Sequence, residues 1–469
     1  MTGFANAAAR RSPLDAFWLV AGVLLSVAVE FVAWKHAASG SGRVPYATYA
    51  LALAPIGALL AYRWPILFPY ALYVVLVPFN TLLSVSQHDT ITKLLGMASA
   101  AALLFWAVRN RTIVMPPRAL LPCVALVAWM LASLAWALDY KAGYEELKTM
   151  FQLVVLFAIV GSFPSGRREF SIALWATVAG GLIAALYGIW VFHHPNALEQ
   201  QAQLTDNRLM FQVGRYNLDI NLYADSLFLP LGILAMTWLR LPFGWRKALT
   251  LAGIGTLVTA IYFAASREAL IGVVAMLLYF AWKSPHRKQL FVPLGLIAGG
   301  FMAIPNMMER LSQSAQTGGA GRLSIWHVGL ISFLQHPLFG TGVGSFATAY
   351  DDNFLKVFQR YYAGWNRAPH NLFVHYGVEN GIVGIAIVVA VWYAMFRMVR
   401  VVGKEHPMYE MQIMFSGVFV ALFIGSMFVD LFSQKELWLA FCLAAQYRAM
   451  MMVESPRLRW EPPATRSVT

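Results

Sequence analysis

The sequence predicts an all-α polytopic membrane protein with 12–14 transmembrane helices. Of its 469 residues, 59% are hydrophobic and only 12% are charged, and the mean hydropathy is +0.60. A soluble domain carries roughly 25% charged residues, so a soluble fold is excluded. Apolar runs of span length also recur along the chain, and basic residues separate them in alternate connections.

Fourteen apolar runs are candidate spans, and one or two of the short ones are candidates for re-entrant or merged segments. They cover about 16–34, 46–62, 66–84, 91–108, 119–138, 145–162, 170–192, 218–240, 247–265, 268–283, 289–305, 371–398, 410–431 and 435–452. We see neither a soluble domain nor an internal repeat.

Positive charge predicts the topology. The net charge of +13 comes from arginines and lysines in alternate connections, which indicates orientation in a membrane rather than a nucleic-acid partner. Both termini are then cytoplasmic, and 193–217, 266–268 and 306–369 face outward. We predict one integral membrane domain over 1–469. It comprises transmembrane helices at 14–305, a periplasmic helical loop at 306–369, C-terminal transmembrane helices at 370–452 and a cytoplasmic tail at 453–469.

The long outer loop contains two amphipathic segments, at about 322–336 and 345–362, with Pro337 and a glycine-rich stretch between them. They predict a helical hairpin on the membrane surface. The apolar face of the first helix carries Leu323, Trp326, Leu330, Phe333 and Leu334. A passive cap and a lid over a substrate site are equally compatible with this pattern.

The outward side also carries an ionisable ring at the mouth of a helix. Pro369-His370-Asn371 opens the run at 371–398, where a positive helix end disfavours protonation of His370 and attracts anions. A neutral imidazole can accept a proton, so His370 is a candidate base; the alternative is an interfacial histidine that caps the helix.

Arginines supply a second set of outward candidates. Arg267, beside Ser266, lies in a tight turn. Its guanidinium either pairs with Glu268, binds a lipid headgroup or binds phosphate oxygens of a substrate through paired N–H groups. Arg208, Arg215 and Asn221 lie in the connection before the run at 218–240 and at its start. An amide inside that run predicts a polar cavity.

Lys148 is a further outward cation, although an i, i+3 ion pair with Glu145 explains it adequately. No DxD, no HExxH and no histidine–carboxylate spacing suited to a metal is found on the outer side, so we expect no metal site. The chain has neither a Walker loop nor a Rossmann fingerprint, so a cytoplasmic nucleotide bound here is not the energy source. The donor of any bond-forming reaction on the outer face must then arrive already activated. A lipid-linked diphosphate fits, because arginines and a helix N-terminus suit a diphosphate leaving group.

His370-Asn371, nine residues and Gly381-Ile382-Val383-Gly384 resemble the H-[NSQ]-x9-G-x-x-[GTY] signature of bacterial O-antigen ligases. Arg322-x3-Trp326, followed by the stretch from His336 to Gly344, resembles the R…W…P-L-x-G-x-G-x-G pattern of the wider ligase/polymerase superfamily. Ser266-Arg267 and Arg215…Asn221 resemble further elements of that superfamily, although Asp219 stands where a separate ligase motif has leucine.

The resemblance implies a GT-C-like glycosyltransferase in the bacterial inner membrane with a periplasmic active site. Such an enzyme transfers O-polysaccharide from undecaprenyl diphosphate to a sugar of lipid A–core, with inversion and without a metal or other cofactor. His370, Arg215 and Arg267 would be catalytic. Substrate binding would fall to the remaining candidates, which are Arg322, Asn371, Asn221, Ser266, Arg208, Lys148 and Trp326.

Three alternatives stay open. An O-antigen polymerase and a protein O-oligosaccharyltransferase share the superfamily motifs. A lipid-sugar flippase or another transporter belongs to a different class and predicts internal repeats and charges deep in the spans.

Overall fold

Helices account for almost all of the regular structure. The computed structural model describes residues 46–80, 90–196, 208–213, 216–217, 219–290, 321–356 and 364–454. The α-helices are α1 Tyr46–Arg63, α2 Ala71–Leu76, α3 Ile91–Arg109, α4 Leu120–Ser133, α5 Tyr140–Ser162, α6 Arg167–His193, α7 Ile220–Ser226, α8 Phe228–Arg240, α9 Trp245–Ala264, α10 Arg267–Lys283, α11 Arg322–Gln335, α12 Phe346–Phe354, α13 Leu372–Met398, α14 Tyr409–Gly425 and α15 Lys435–Glu454.

Short irregular helices and one hairpin complete the described structure. A π-helix spans Ile66–Tyr70, and 3₁₀ turns span Val77–Phe79, Leu134–Trp136 and Arg287–Leu290. Two-residue strands β1 Gln212–Val213 and β2 Tyr216–Asn217 pair antiparallel.

The helices coincide with the predicted apolar runs wherever the structure describes them. Among the described residues, five helical segments are long and apolar enough to cross a membrane: Ile91–Arg109, Arg167–His193, Ile220–Arg240, Trp245–Ala264 and Leu372–Met398. A sixth is possible if the pair Pro55–Arg63 and Ile66–Phe79, bent by 111°, forms one broken span. These segments indicate a multi-pass membrane protein, which confirms the predicted class. The total of 12–14 spans stays a prediction, because the run at 16–34 and nearly all of 289–305 lie outside the described residues.

Side-chain caps start several helices where the sequence offers an acceptor. Thr90 accepts the N–H of Lys93, and Asp139 accepts the N–H of Ala142 at 2.9 Å. These bonds satisfy N–H groups that a helix start leaves without intrahelical partners. The cap at Asp139 fixes the start of α5, the helix that carries Glu146.

Small residues let the helices approach closely around a buried α14–α15 pair. A Cβ on Gly417 of α14 would meet Phe280 of α10 at 2.3 Å, and one on Gly181 of α6 would meet Pro230 of α8 at 2.5 Å. Glycines at such positions are typical of helix interfaces in membranes, where close packing rather than water exclusion holds the helices together.

Connections that the charge pattern assigns to the cytoplasm contact one another. Arg167, at the start of α6, pairs with Glu454 at the end of α15 at 2.7 Å. Arg240, at the end of α8, pairs with Glu410 at the start of α14 at 2.8 Å. These ion pairs show that the connections with basic residues lie close together at the same ends of neighbouring helices. Loops that alternate between the two sides of a membrane require this arrangement.

The hairpin of α11 and α12 packs against α13 through the side of α11 that carries Ile325, Val328 and Gly329. Ile325 and Val328 are buried against α12 and α13, whereas Leu323, Leu330 and Leu334 are exposed. Trp326 and Phe333 of the predicted apolar face pack against this core, while its three leucines stay exposed, so their position on a membrane surface stays a prediction. Gly329 brings α11 close to Val374 on the other side of the helix.

In α12 the predicted aromatic face is buried, with Phe346, Tyr350 and Phe354 in the core of the hairpin. Residues 357–362 of the second predicted segment lie outside the described residues. A position on the membrane surface stays a prediction.

Candidate functional site

His370 lies in a turn immediately before α13, in a conformation that needs support. Its φ of +47° is in the left-handed region, which costs a residue with a Cβ roughly 1–3 kcal/mol unless neighbouring contacts hold it. Two neighbours supply such contacts. Trp326 of α11 donates its Nε1–H to the carbonyl of Pro369 at 3.1 Å, and Asn371 caps α13 on the other side.

Asn371 has every polar atom of its side chain engaged within the protein. Its Oδ1 accepts the N–H groups of Phe373 and Val374 at 2.9 and 3.0 Å, and its Nδ2 donates to the carbonyl of Met427 at 3.0 Å. The structure therefore places Asn371 as a helix cap that ties α13 to the connection after α14. Trp326 likewise contacts the turn that carries His370.

The electrostatic surroundings of His370 favour the neutral imidazole. Burial lowers its pKa below the ordinary 6.5, and the positive charges of Arg322 and Arg367 lower this pKa further, while Asp219 acts in the opposite direction. The pKa is lowered as the sequence predicted, and the causes are burial and the charges of two arginines. A neutral ring at the mouth of α13 can take up a proton.

Arg322, the first residue of α11, is held by a buried carboxylate. Its Nη1 lies 2.9 Å from Oε2 of Glu268, whose side chain is only 3% exposed. Its guanidinium also lies 5.7 Å from the ring centroid of Phe428. Glu268 therefore pairs with Arg322, which is not the partner that the sequence analysis considered.

The turn between α9 and α10 places Ser266 and Arg267 beside Arg208. Ser266 caps α10 by accepting the N–H of Ala269 at 3.3 Å, and Arg267 is the first, partly exposed residue of that helix. Arg208 donates its Nε–H to the carbonyl of Ala264 at 3.0 Å. The cation of Arg208 is thus fixed at the end of α9, directly before the Ser266–Arg267 turn.

Asn221 also belongs to this group. Its Oδ1 accepts a hydrogen bond from Nη2 of Arg208 at 2.6 Å, and its backbone N–H donates to Asp219 at 2.9 Å. The predicted polar environment for this amide is therefore supplied by an arginine. Asp219 also raises the pKa of His370 electrostatically, so the Arg208 group and the His370 turn influence each other through charge.

The described structure does not add two other predicted site residues to this group. Arg215 lies outside the described residues, so its proposed role stays a prediction. Lys148 is on α5 and pairs with Glu145 at 2.7 Å, the i, i+3 pair that the sequence alternative named.

The glycine-rich loop before α12 docks into a break in α13. Gly381 has a φ of +64° and interrupts the helix, which leaves carbonyl groups before it without helical donors. The N–H groups of Thr341 and Gly342 bond to the carbonyls of Val378 and Glu379, each at 2.8 Å. Trp129 of α4 donates to the carbonyl of Asn380 at 3.3 Å.

A largely buried group of one histidine and three carboxylates lies beside this break, and it was not among the predicted site residues. His375 and Glu379 are buried, whereas Glu146 and Asp430 are partly exposed. Nε2 of His375 lies 3.3 Å from Oε2 of Glu379 and 3.7 Å from Oε1 of Glu146, and Nδ1 lies 3.3 Å from Oδ2 of Asp430. His375 and Glu379 are four residues apart on α13, a spacing that could have revealed them. Glu146 and Asp430 come from distant parts of the chain, so spacing alone could not add them.

Comparison with known protein families gives one match. Residues 251–389 match the family model described as O-antigen ligase. This stretch contains Arg267, Arg322, Trp326, His370 and Asn371. None of the curated proteins matches the chain.

Proposed function

Because residues 251–389 belong to the O-antigen ligase family, we propose that the protein transfers O-polysaccharide from undecaprenyl diphosphate to a sugar of lipid A–core on the periplasmic face of the inner membrane. The observation that carries this proposal is that His370, whose pKa is lowered, belongs to a region with guanidinium groups held in place by the protein. Arg322 acts on the pKa of His370 and pairs with Glu268, the residue after Arg267. Arg208 bonds to the carbonyl of Ala264, just before the Ser266–Arg267 turn.

In the proposed reaction His370 is the general base. Its imidazole accepts the proton of an acceptor-sugar hydroxyl while that oxygen forms a bond to the anomeric carbon of the donor. The bond from the anomeric carbon to the diphosphate oxygen breaks on the opposite side, and undecaprenyl diphosphate leaves with the electron pair. One in-line displacement inverts the anomeric centre.

Arginines and a helix start would stabilise the leaving group. Arg267 and Arg215 bind the diphosphate in this proposal, because a guanidinium presents paired N–H donors to phosphate oxygens. Arg267 stands at the N-terminus of α10, where the helix dipole adds positive potential. No step of this scheme requires a metal ion.

The remaining candidates act around these groups. Arg208 orients Asn221, and Ser266 sets the start of α10, so all three shape the phosphate side of the site. Arg322 keeps positive charge near His370, whereas Lys148 contributes only if the acceptor extends to α5.

The test is transfer by purified protein with undecaprenyl-diphosphate-linked glycan and lipid A–core, without added divalent cations. We expect glycan on lipid A–core, and His370→Ala should abolish it while His194→Ala, an exposed histidine at the end of α6, retains it. Wild-type transfer by folded His370→Ala would exclude His370 as the base. Extension of the prenyl-linked chain alone would instead identify a polymerase.

Arg267 has its own test. Arg267→Ala should lower turnover at saturating donor by about 10²–10³-fold, the usual cost of removing one electrostatic donor. Arg267→Lys keeps the charge without the paired donors, so its turnover should lie between those of the wild type and Arg267→Ala. Unchanged turnover in Arg267→Ala would remove the diphosphate assignment.

A further inference from the structure

The buried group around His375 has the composition and spacing of a metal site. We propose that His375, Glu379 and Glu146 bind a divalent transition-metal ion of the zinc class, with Asp430 supporting the histidine. This site is separate from the proposed transfer chemistry and does not rest on it.

The distances between the ligand atoms fit such an ion. Zinc binds imidazole nitrogen and carboxylate oxygen at about 2.0–2.2 Å in a tetrahedral arrangement, which separates neighbouring ligand atoms by about 3.4 Å. Nε2 of His375 lies 3.3 Å from Oε2 of Glu379 and 3.7 Å from Oε1 of Glu146. One atom from each of the three residues lies within 4.8 Å of the others, so small side-chain movements bring all three to one ion.

The groups behind the ligands are arranged as metal sites require. A histidine bound through one ring nitrogen usually presents the other to a carboxylate, and Nδ1 of His375 faces Oδ2 of Asp430 at 3.3 Å. Asp430 is itself fixed by the N–H of Phe432 and the hydroxyl of Ser433, each at 3.1 Å. Nδ1 is fully buried without a well-aligned hydrogen bond, and the side chain of His375 is only 7% exposed.

Glu379 is oriented by the glycine-rich loop. Its Oε2 accepts the N–H of Gly344 at 2.8 Å, and its Oε1 accepts the N–H of Phe346 at 2.9 Å. A carboxylate oxygen has two lone pairs, so one bond from the backbone leaves Oε2 able to bind a metal.

Charge also favours a cation. In the part of the chain that the structure describes, His375 is the ion-pair partner of all three carboxylates, and one imidazole carries at most a single positive charge. Buried negative charge that is not compensated is costly. A divalent ion balances the carboxylates of Glu146 and Glu379 with His375 neutral. One imidazole with two carboxylates suits zinc better than magnesium or calcium, which take oxygen ligands.

The experiment measures metal rather than transfer. Protein purified in detergent through a tag without histidines is stripped with chelator, dialysed against Zn²⁺, Mn²⁺ or Mg²⁺, and analysed for bound metal and thermal midpoint. We expect about one zinc ion per chain and a midpoint that rises with zinc concentration. Less than about a tenth of an ion per chain with an unchanged midpoint would overturn the proposal and identify a histidine–carboxylate network held by protons.

Variants identify the ligands. Glu146→Gln should weaken zinc binding at least about 10-fold, and Asp430→Asn, which keeps the ligands, should weaken it about 10- to 100-fold. Glu145→Gln is the matched control on the same helix, because Glu145 pairs with Lys148 instead, and it should bind zinc like the wild type. Wild-type affinity in Glu146→Gln would contradict the assignment.

A measurement on the wild type decides the matter even if the variants do not fold. The X-ray absorption spectrum of the zinc-loaded protein should show nitrogen and oxygen ligands with one imidazole. Sulfur ligands would point to Cys123 or Cys442 and overturn the proposed ligand set.

Discussion

Trp326→Phe separates two roles for this tryptophan. The sequence pattern predicts that Trp326 binds substrate, whereas the structure shows its Nε1–H bonded to the carbonyl of Pro369 at 3.1 Å. Phenylalanine keeps most of the ring packing and removes this bond. If Trp326 positions the turn, the substitution should lower kcat and leave KM for the donor unchanged.

The magnitude follows from the balance of two energies. A left-handed conformation at His370 costs roughly 1–3 kcal/mol, and one hydrogen bond contributes about 0.5–1.5 kcal/mol net. Its loss shifts the ratio of positioned to displaced His370 by at most about 2- to 13-fold. We therefore expect kcat of Trp326→Phe to decrease by a factor of about 2 to 13.

The assay is initial-rate transfer to lipid A–core over a range of donor concentrations. Trp175→Phe, a half-exposed tryptophan on α6, is the matched control and should match the wild type. A raised KM for the donor with unchanged kcat would refute positioning and support direct substrate contact, because uniform binding alone would have been lost.

Three further predictions concern charge and backbone. The pKa of His370 is lowered below 6.5, so kcat/KM of the wild type should fall with decreasing pH only below that value. Arg367→Gln removes a charge that lowers this pKa, so the pH–rate profile of the variant should show the fall at higher pH. Arg322→Ala leaves the buried carboxylate of Glu268 without its partner and should lower the unfolding free energy by about 3–5 kcal/mol, measured by thermal or denaturant unfolding in detergent. Gly344→Ala should reduce the yield of folded protein on size-exclusion chromatography, because φ is +74° and the new Cβ would meet the backbone N of Gly143 at 2.2 Å.

The controls for these predictions come from the same chain. An acid limb above pH 7 in the wild type would contradict the lowered pKa of His370. The double variant Arg322→Gln/Glu268→Gln should recover much of the stability lost in Arg322→Ala, because it removes both charges. Gly403→Ala, which meets nothing within 4 Å, should express like the wild type.

Hydropathy was sufficient to predict the helices but not their faces or breaks. The run at 66–84 was predicted as one segment, yet it begins as a π-helix that is bent sharply against α1. The periodicity of α11 predicted its most apolar face, but it did not show that the side of Gly329 reaches α13. Periodicity measures how apolar a face is, and it does not show whether protein or lipid covers that face.

Site residues were predictable where a local pattern carried them. His370 and Arg267 stand at helix starts next to breaks, and such positions can be identified from one stretch of sequence. The pairing of Glu268 with Arg322 joins residues 54 positions apart, and Glu146 meets His375 only because α5 and α13 pack together. Long-range pairs of this kind depend on helix packing, which the hydropathy of each helix leaves undetermined.

The hydrogen bonds of the hairpin decide between a passive cap and a moving lid. Thr341, Gly342, Gly344 and Phe346 donate backbone N–H groups to α13 around its break. Trp326, from the same hairpin, bonds to the turn at the start of α13.

At about 0.5–1.5 kcal/mol each, separating these five bonds would cost roughly 3–8 kcal/mol before any loss of apolar contact. An open state at that cost would be populated at about 1% or less, which is a poor basis for repeated opening. We therefore expect α11 and the glycine-rich loop to remain docked on α13 during turnover. They then serve as a fixed wall that holds His370 in place, and substrates must enter through a side of the site that this wall does not close.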